Sequence, residues 1–463
     1  MHGAASCQRA VHAPGRHRRG APAVPRLAHN GPVTDPTPSP APSLAPLLSD
    51  EGQALLAALR DHDPAQELAL ATRLRRDHPA ELVSAALAQA RLRQRAVAKF
   101  GERDAYRMYF TPHGVEQATR TSVAAHRAGR FRDINLRDAG PARITDLCCG
   151  VGGDAIELAR AGFAVTAVDR DPVTCEIAAL NVRTLAPDAP PATVVRADVM
   201  TYDLAAAPAP DALFIDPARR GGRGRIFDPE AYSPPLSWAI EAVRTVGAGG
   251  IKIAPGIPHE LVPDDFEAEW ISDGGDVKEA VLWHHATGPG AGPGPGSGPG
   301  PGSGPGPGSG PGAITPGARR ATLLPAGLTL TGRGLPDPPV REVGRYLYEP
   351  DGAVIRAHLV AEVADELDGG LIDATIAYIT ADEPRPTPYA TAYEITDELP
   401  FNLKRLKALL RERGVGILTV KKRGSPVEPE ELRRRMKLQG RESATVFLTR
   451  VAGAPTMLLG RPA

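Results

Sequence analysis

The residues best equipped for chemistry in this chain are glycines and carboxylates set at the ends of short apolar runs. Ile144 to Asp154 reads I-T-D-L-C-C-G-V-G-G-D. Ile144 and Leu147 mark an extended run, Gly150, Gly152 and Gly153 make a turn, and Ala155 to Ala159 suits a helix. A strand, a glycine turn and a helix N-terminus let backbone N–H groups approach a ligand closely. Asp169 ends a second apolar run, Ala164 to Val168, 23 residues beyond Asp146 (169 − 146). An acid at that distance, at the carboxyl end of the next strand, suits the two hydroxyls of a ribose. Asp198 and Asp216 end two further runs, Thr193 to Ala197 and Asp211 to Ile215. Asp216 is followed by Pro217, in the switch region where open sheets bind ligands.

Only a parallel sheet brings such acids to one edge, and the pattern supplies one. From Ile144 strands and helices alternate, the sign of a parallel α/β architecture. A helix runs through Cys175 to Leu185 and another near Pro235 to Val246, leading to Ile251-Lys252-Ile253-Ala254. Two strands without a long helix between them, around Glu267 to Ile271 and Val277 to His284, close the unit.

On these residues the core resembles class I S-adenosylmethionine-dependent methyltransferases. Asp-Leu-Cys-Cys-Gly-Val-Gly-Gly-Asp is similar to motif I of that family, above all as trimethylguanosine synthase and related RNA guanine-N2 methyltransferases carry it. The glycine loop departs from the dinucleotide pattern G-x-G-x-x-G, so no diphosphate need be accommodated. The resemblance implies a seven-stranded sheet closed by an antiparallel pair, with S-adenosylmethionine as cofactor. It implies that Gly150, Gly152 and Gly153 leave room for the methionine portion, that Asp169 holds the ribose and that Asp198 reaches the adenine amine, with Asp146 and Cys148 also at the cofactor. A segment upstream folds over the cofactor in that family, so Gln117 or Glu116 is placed to touch it or simply to cap a helix. Asp216-Pro217-Ala218-Arg219 stands where amino-methyltransferases carry Asn, Asp or Ser, then Pro-Pro and an aromatic residue. Asp216 and the Pro217 carbonyl would accept the N–H bonds of an exocyclic amine, a poor nucleophile that must be pinned. Ala218 and Arg219 replace the second proline and the aromatic residue. Carbon-5 chemistry on a pyrimidine would need a cysteine nucleophile, and none of the cysteines is set for it.

The flanks complete the expected organisation. The 463 residues suffice for more than one domain, and 54 basic residues balance 54 acidic ones, so any nucleic-acid signal is local. Residues 1–46, rich in Ala, Pro, Arg and His, read as a disordered tail or an over-long start. Residues 47–105 read as a helical N-terminal domain whose Arg91 to Lys99 run is either solvated or phosphate-facing. The catalytic domain spans 106–335, and residues 288–312 contain only Gly, Pro, Ser and Ala, a non-folding loop. Residues 339–463 resemble an α+β THUMP-like domain. There Phe401 to Gly440 carries 12 Lys plus Arg against 4 Glu, and Lys421, Lys422 and Arg423 end a strand. RNA, as tRNA or rRNA, is the expected substrate, with Arg219, Arg220, Lys421, Lys422 and Arg423 as phosphate contacts; the alternatives are a small-molecule or protein methyltransferase and a non-catalytic RNA-binding protein. No metal spacing and no transmembrane run are found, and reduced cysteines suit a cytoplasmic protein.

Overall fold

The computed structural model describes residues 43–134, 136, 140–206, 208–221, 224–225, 228–286 and 313–463. The expected tail therefore lies, up to residue 42, outside the described residues, as does the Gly/Pro/Ser loop. Helices α1 (Asp50–Ala58), α2 (Glu67–Leu74), α3 (Ala80–Ala105), α4 (Pro112–Gln117) and α5 (Thr121–Asp133) precede the first sheet. Ser49 starts α1 by accepting the Gly52 N–H, and Thr111 starts α4 by accepting the Gly114 N–H. Leu55, Leu82, Val83, Ala86 and Ala90 do not enclose a core of their own. They share one apolar cluster with Ile144, Ile156 and Val165 of the sheet layer.

The sheet then forms from β1 (Arg143–Leu147), α6 (Gly153–Arg160), β2 (Ala164–Asp169), α7 (Pro172–Leu185), β3 (Thr193–Arg196) and β4 (Ala212–Ile215). It continues through α8 (Leu236–Val246), β5 (Ala248–Ile253), β6 (Glu267–Asp273), β7 (Asp276–His285), β8 (Arg319–Leu324) and β9 (Leu328–Thr331). Its order is β9-β8-β6-β7-β5-β4-β1-β2-β3. Strands β1 to β5 run parallel, and β7 is antiparallel to both β5 and β6. The expected count of seven is thus corrected to nine. β8 pairs in parallel with β6, and β9 folds back on β8. An edge strand presents unpaired N–H and C=O groups, and the apolar segment after the Gly/Pro/Ser loop satisfies them.

A second, seven-stranded sheet comprises β10 (Tyr346–Pro350), β11 (Gly370–Asp373), β12 (Ile376–Ala381), β13 (Ala390–Pro400), β14 (Val415–Lys422), β15 (Glu442–Val451) and β16 (Ala454–Pro462). Its order is β11-β12-β10-β13-β16-β15-β14. Helices α9 (Gly352–Arg356) and α10 (Val360–Leu367) are separated by a turn through a left-handed His358. Val354, Leu359 and Val363 join Leu213, Ile251 and Trp270 in the cluster on the other face of the first sheet. Helices α11 (Leu403–Glu412) and α12 (Pro429–Met436) bury Leu406, Leu410, Leu432 and Met436 with β14 to β16.

Candidate active site

The glycine loop is shaped by its own backbone and by its neighbours. Cys148, Gly150 and Gly152 all have positive φ, and Gly152 is the N-cap of α6. At Gly150 a Cβ would meet no protein atom within 4 Å, so the loop borders open space there. Asp169 at the end of β2 accepts the Gly150 N–H through Oδ2 at 3.1 Å and the Asp171 N–H through Oδ1 at 3.0 Å. Asp198 is exposed beyond β3, with Oδ1 accepting the Met200 N–H at 2.9 Å. Asn181 of α7 is fully buried and ties this loop to the upstream segment. It gives N–H bonds to the Val151 and Tyr109 carbonyls and accepts the Tyr109 N–H. Gln89 and Arg93 of α3 hold the same segment through Phe110 and Met108.

Asp146, one strand position before Leu147, is 1% exposed, and neither carboxylate oxygen has a partner among the described residues. Burial, and then the Asp216 charge, push its carboxyl up to about 8. Asp216 follows β4, its N–H bonded to the Leu147 carbonyl at 3.2 Å. Its Oδ2 accepts from Lys252 Nζ at 2.7 Å, while Oδ1 takes no hydrogen bond among the described residues. Pro217 is buried, and its carbonyl is equally without a donor there. Ala218 exchanges two backbone bonds with Ser233, which anchors the stretch beside α8. Arg219 is half-buried with Nη1 lacking a partner among the described residues, whereas the Arg220 side chain lies outside what is described.

The site also holds residues that the pattern did not single out. Lys252 of β5, Thr119, Arg127 of α5 and Glu279 of β7 are all buried around Asp216 and Asp154. The one available signal was a cation inside the apolar run Gly250-Ile251-Lys252-Ile253, since lysine is almost never buried unpaired. Gln117, by contrast, is exposed, and its near neighbour Thr119 is the residue drawn inside. Cys148, Cys149 and Cys175 are free thiols, each pushed up by burial and nearby carboxylates, so none is activated as a nucleophile. In the second sheet Lys421 and Arg423 pair with Glu349, and Lys422 pairs with Glu428.

These residues fit the expected cofactor on two counts. Asp146 presents an orphaned carboxyl able to receive the ammonium of a methionine group, and the clear space at Gly150 admits a ligand against backbone N–H groups. When bound, S-adenosylmethionine supplies an electrophilic methyl group on a sulfonium.

Comparisons with known proteins agree. Residues 390–462 match the THUMP domain-like family, and residues 41–96 match a domain of unknown function, DUF8688. A protein of Mycobacterium tuberculosis, from strains CDC 1551 and H37Rv, is named an uncharacterized S-adenosylmethionine-dependent methyltransferase. It is 31% identical over 370 residues, covering 78% of this chain and 90% of its own. A candidate methyltransferase from Porphyromonas gingivalis W83 shares the fold, with a TM-score of 0.68 at 21% identity over 89% of this chain and 98% of its own. With its glycine loop, its strand-end acids and this likeness over 78% of its length, the chain belongs to the S-adenosylmethionine-dependent methyltransferases.

Proposed function

We propose that this methyltransferase acts on a base amine of RNA, with Asp216 and the Pro217 carbonyl holding the amine. The observation that carries the reading is the charge balance around Asp216. Lys252 and Arg127 face Asp154, Glu279 and Asp216, two cations against three carboxylates, while Asp146 is held neutral at pH 7. The surplus negative charge falls at Asp216, whose side chain is 23% exposed. That suits a neutral nucleophile whose nitrogen becomes positive as the methyl group arrives. Asp216 accepts an N–H of the amine, orients the nitrogen, and passes the surplus proton to solvent. Gly150, Gly152 and Gly153 border the cofactor, Asp146 receives its ammonium, Asp169 its ribose and Asp198 its adenine, with Cys148 and Gln117 at the margin.

RNA as acceptor is supported by the THUMP domain-like match and by exposed cations on α11 and α12. Lys404, Arg405, Arg411, Arg434 and Lys437 are exposed and form no ion pair among the described residues. Lys421, Lys422 and Arg423 contribute less, because three cations meet two carboxylates. That partial neutralisation favours a second reading, a protein or small-molecule acceptor. Mass spectrometry of RNA nucleosides from a deletion strain and its parent tests the choice. Loss of one methylated base is expected, and identical nucleoside profiles would reject RNA.

A further inference from the structure

Lys252 is closed in by protein groups rather than open to a substrate. It lies on β5 with a side chain only 5% exposed, and its ammonium faces three groups from three separate elements. Nζ is 2.7 Å from Asp216 Oδ2, 3.0 Å from Thr119 Oγ1 and 3.7 Å from Glu279 Oε2. Two of its three N–H donors are thus engaged in hydrogen bonds, and Glu279 faces it as an ion pair. Asp216 differs in kind, with one oxygen committed to Lys252 and the other taking no hydrogen bond among the described residues.

The groups behind Lys252 are braced in turn. The Thr119 hydroxyl donates to Asp154 Oδ2 at 2.9 Å. Arg127, fully buried, joins Asp154 Oδ1 to Glu279 Oε1 and lies 4.1 Å from the Phe214 ring centroid. Lys252, Thr119, Asp154, Arg127 and Glu279 thereby close a ring. Asp154 stands in the first turn of α6, directly after the glycine loop, so the ring joins the cofactor side to the acceptor side.

We propose that Lys252 is a positioning residue that holds Asp216 in one orientation, with Oδ1 turned to the acceptor. The inference rests on the assignment of Asp216 to the acceptor amine made above. Its physical basis is orientation: a carboxylate pinned through one oxygen need not be ordered again when the substrate arrives. Without Lys252, Glu279 would keep Arg127, but Asp216 would lose the cation that faces it, which drives a carboxylate to move or to take up a proton.

The test compares the parent, Lys252→Met, Asp216→Asn and the double variant, using radiolabelled S-adenosylmethionine and an extract of a deletion strain as acceptor. Lys252→Met is expected to lower turnover about ten- to a hundredfold, as misplaced catalytic groups do. Its cofactor affinity by calorimetry should stay within about twofold. If Lys252 acts through Asp216, the double variant should be no slower than Asp216→Asn alone. Losses that multiply in the double variant, or full activity of Lys252→Met, overturn the proposal. Treating the extract with RNase separates the two claims. Acceptor activity that survives removes RNA as substrate and leaves the Lys252 comparison readable. A crystal structure of Lys252→Met needs no acceptor, and Asp216 is expected to leave its parental rotamer there; an unmoved carboxyl overturns the role. If that variant does not fold, Thr119→Val removes one anchor and should give a smaller loss of turnover, full activity again counting against the proposal.

Discussion

Asp169 Oδ2 receives the Gly150 N–H at 3.1 Å, so the acid expected to hold a ribose also fixes the glycine loop. Its second oxygen receives the Asp171 N–H at the entrance to α7. The carboxylate thus has lone pairs engaged before any ligand arrives, and the remaining ones are oriented by those bonds. Asp169→Ala should weaken cofactor binding by about 1–3 kcal/mol, the cost of orphaned polar partners. Calorimetry that finds parental affinity in the folded variant would remove Asp169 from the cofactor site.

Asp146 leads to a proton-release prediction. Its carboxyl is pushed up to about 8 by burial, so the free protein carries it protonated at pH 6.5. Receiving an ammonium requires the ionised form, so binding at pH 6.5 should release about one proton. The apparent binding enthalpy should then change between buffers of different ionisation enthalpy, and Asp146→Asn should abolish that dependence. An enthalpy independent of buffer in the parent would sink the contact.

The same shift sets the sign of a stability effect. An acid with a raised pKa in the fold favours the native state below its unfolded value of about 4, and that contribution is lost as pH rises through about 8. Asp146→Asn stays uncharged throughout. Its melting temperature should therefore equal the parent's near pH 4 and exceed it by about 2 °C or more at pH 8. Equal melting temperatures at both values would contradict the buried, unpaired carboxyl.

Asp216→Ala should separate chemistry from binding. Its hydrogen bond strengthens only as positive charge develops on the nitrogen, so turnover should fall about a hundredfold or more with cofactor affinity retained. A single-turnover rate equal to the parent's would exclude it from the reaction.

For RNA capture, two variants divide the basic residues of the second sheet. Each single-strand phosphate contact removed should lower the salt slope of binding by roughly 0.7. Replacing Lys421, Lys422 and Arg423 by Ala should flatten the slope only slightly, since Glu349 and Glu428 already face them. Replacing Lys404, Arg405, Arg434 and Lys437 should flatten it more. Filter binding that reverses this order would return the capture surface to the end of β14.

A stacked pair of imidazoles joins the two sheets' surroundings and makes that contact acid-sensitive. His259 lies 3.7 Å from His358 and 4.9 Å from Trp270, ring centre to ring centre. Burial, and then the His358 charge, bring His259 down to about 4. A histidine depressed in the fold stabilises it above the unfolded value of about 6.5, and that stability is lost as pH falls through about 4. The parent should lose stability between pH 6.5 and 4 more steeply than His259→Gln. Parallel stability curves for the two proteins would refute the linkage.

What the sequence determined by itself was local. The apolar runs, the glycines that take positive φ and the acids that end strands lie within a few residues of one another, so the α/β core and its strand-end acids were legible. Strands β1 to β5 run parallel and β6 and β7 pair antiparallel, as the alternation of strands and helices and the closing pair implied. The place of β8 and β9 was settled by the sheet's edge, whose unpaired groups needed partners. The ring around Lys252 was decided only by tertiary structure. Thr119 is 133 residues from Lys252, and Arg127 is 152 residues from Glu279. Likewise Lys421, read as a phosphate contact, meets Glu349 across 72 residues. Buried charge is tolerated only where an opposite charge reaches it, and periodicity along a chain carries no record of which distant strand will bring that charge.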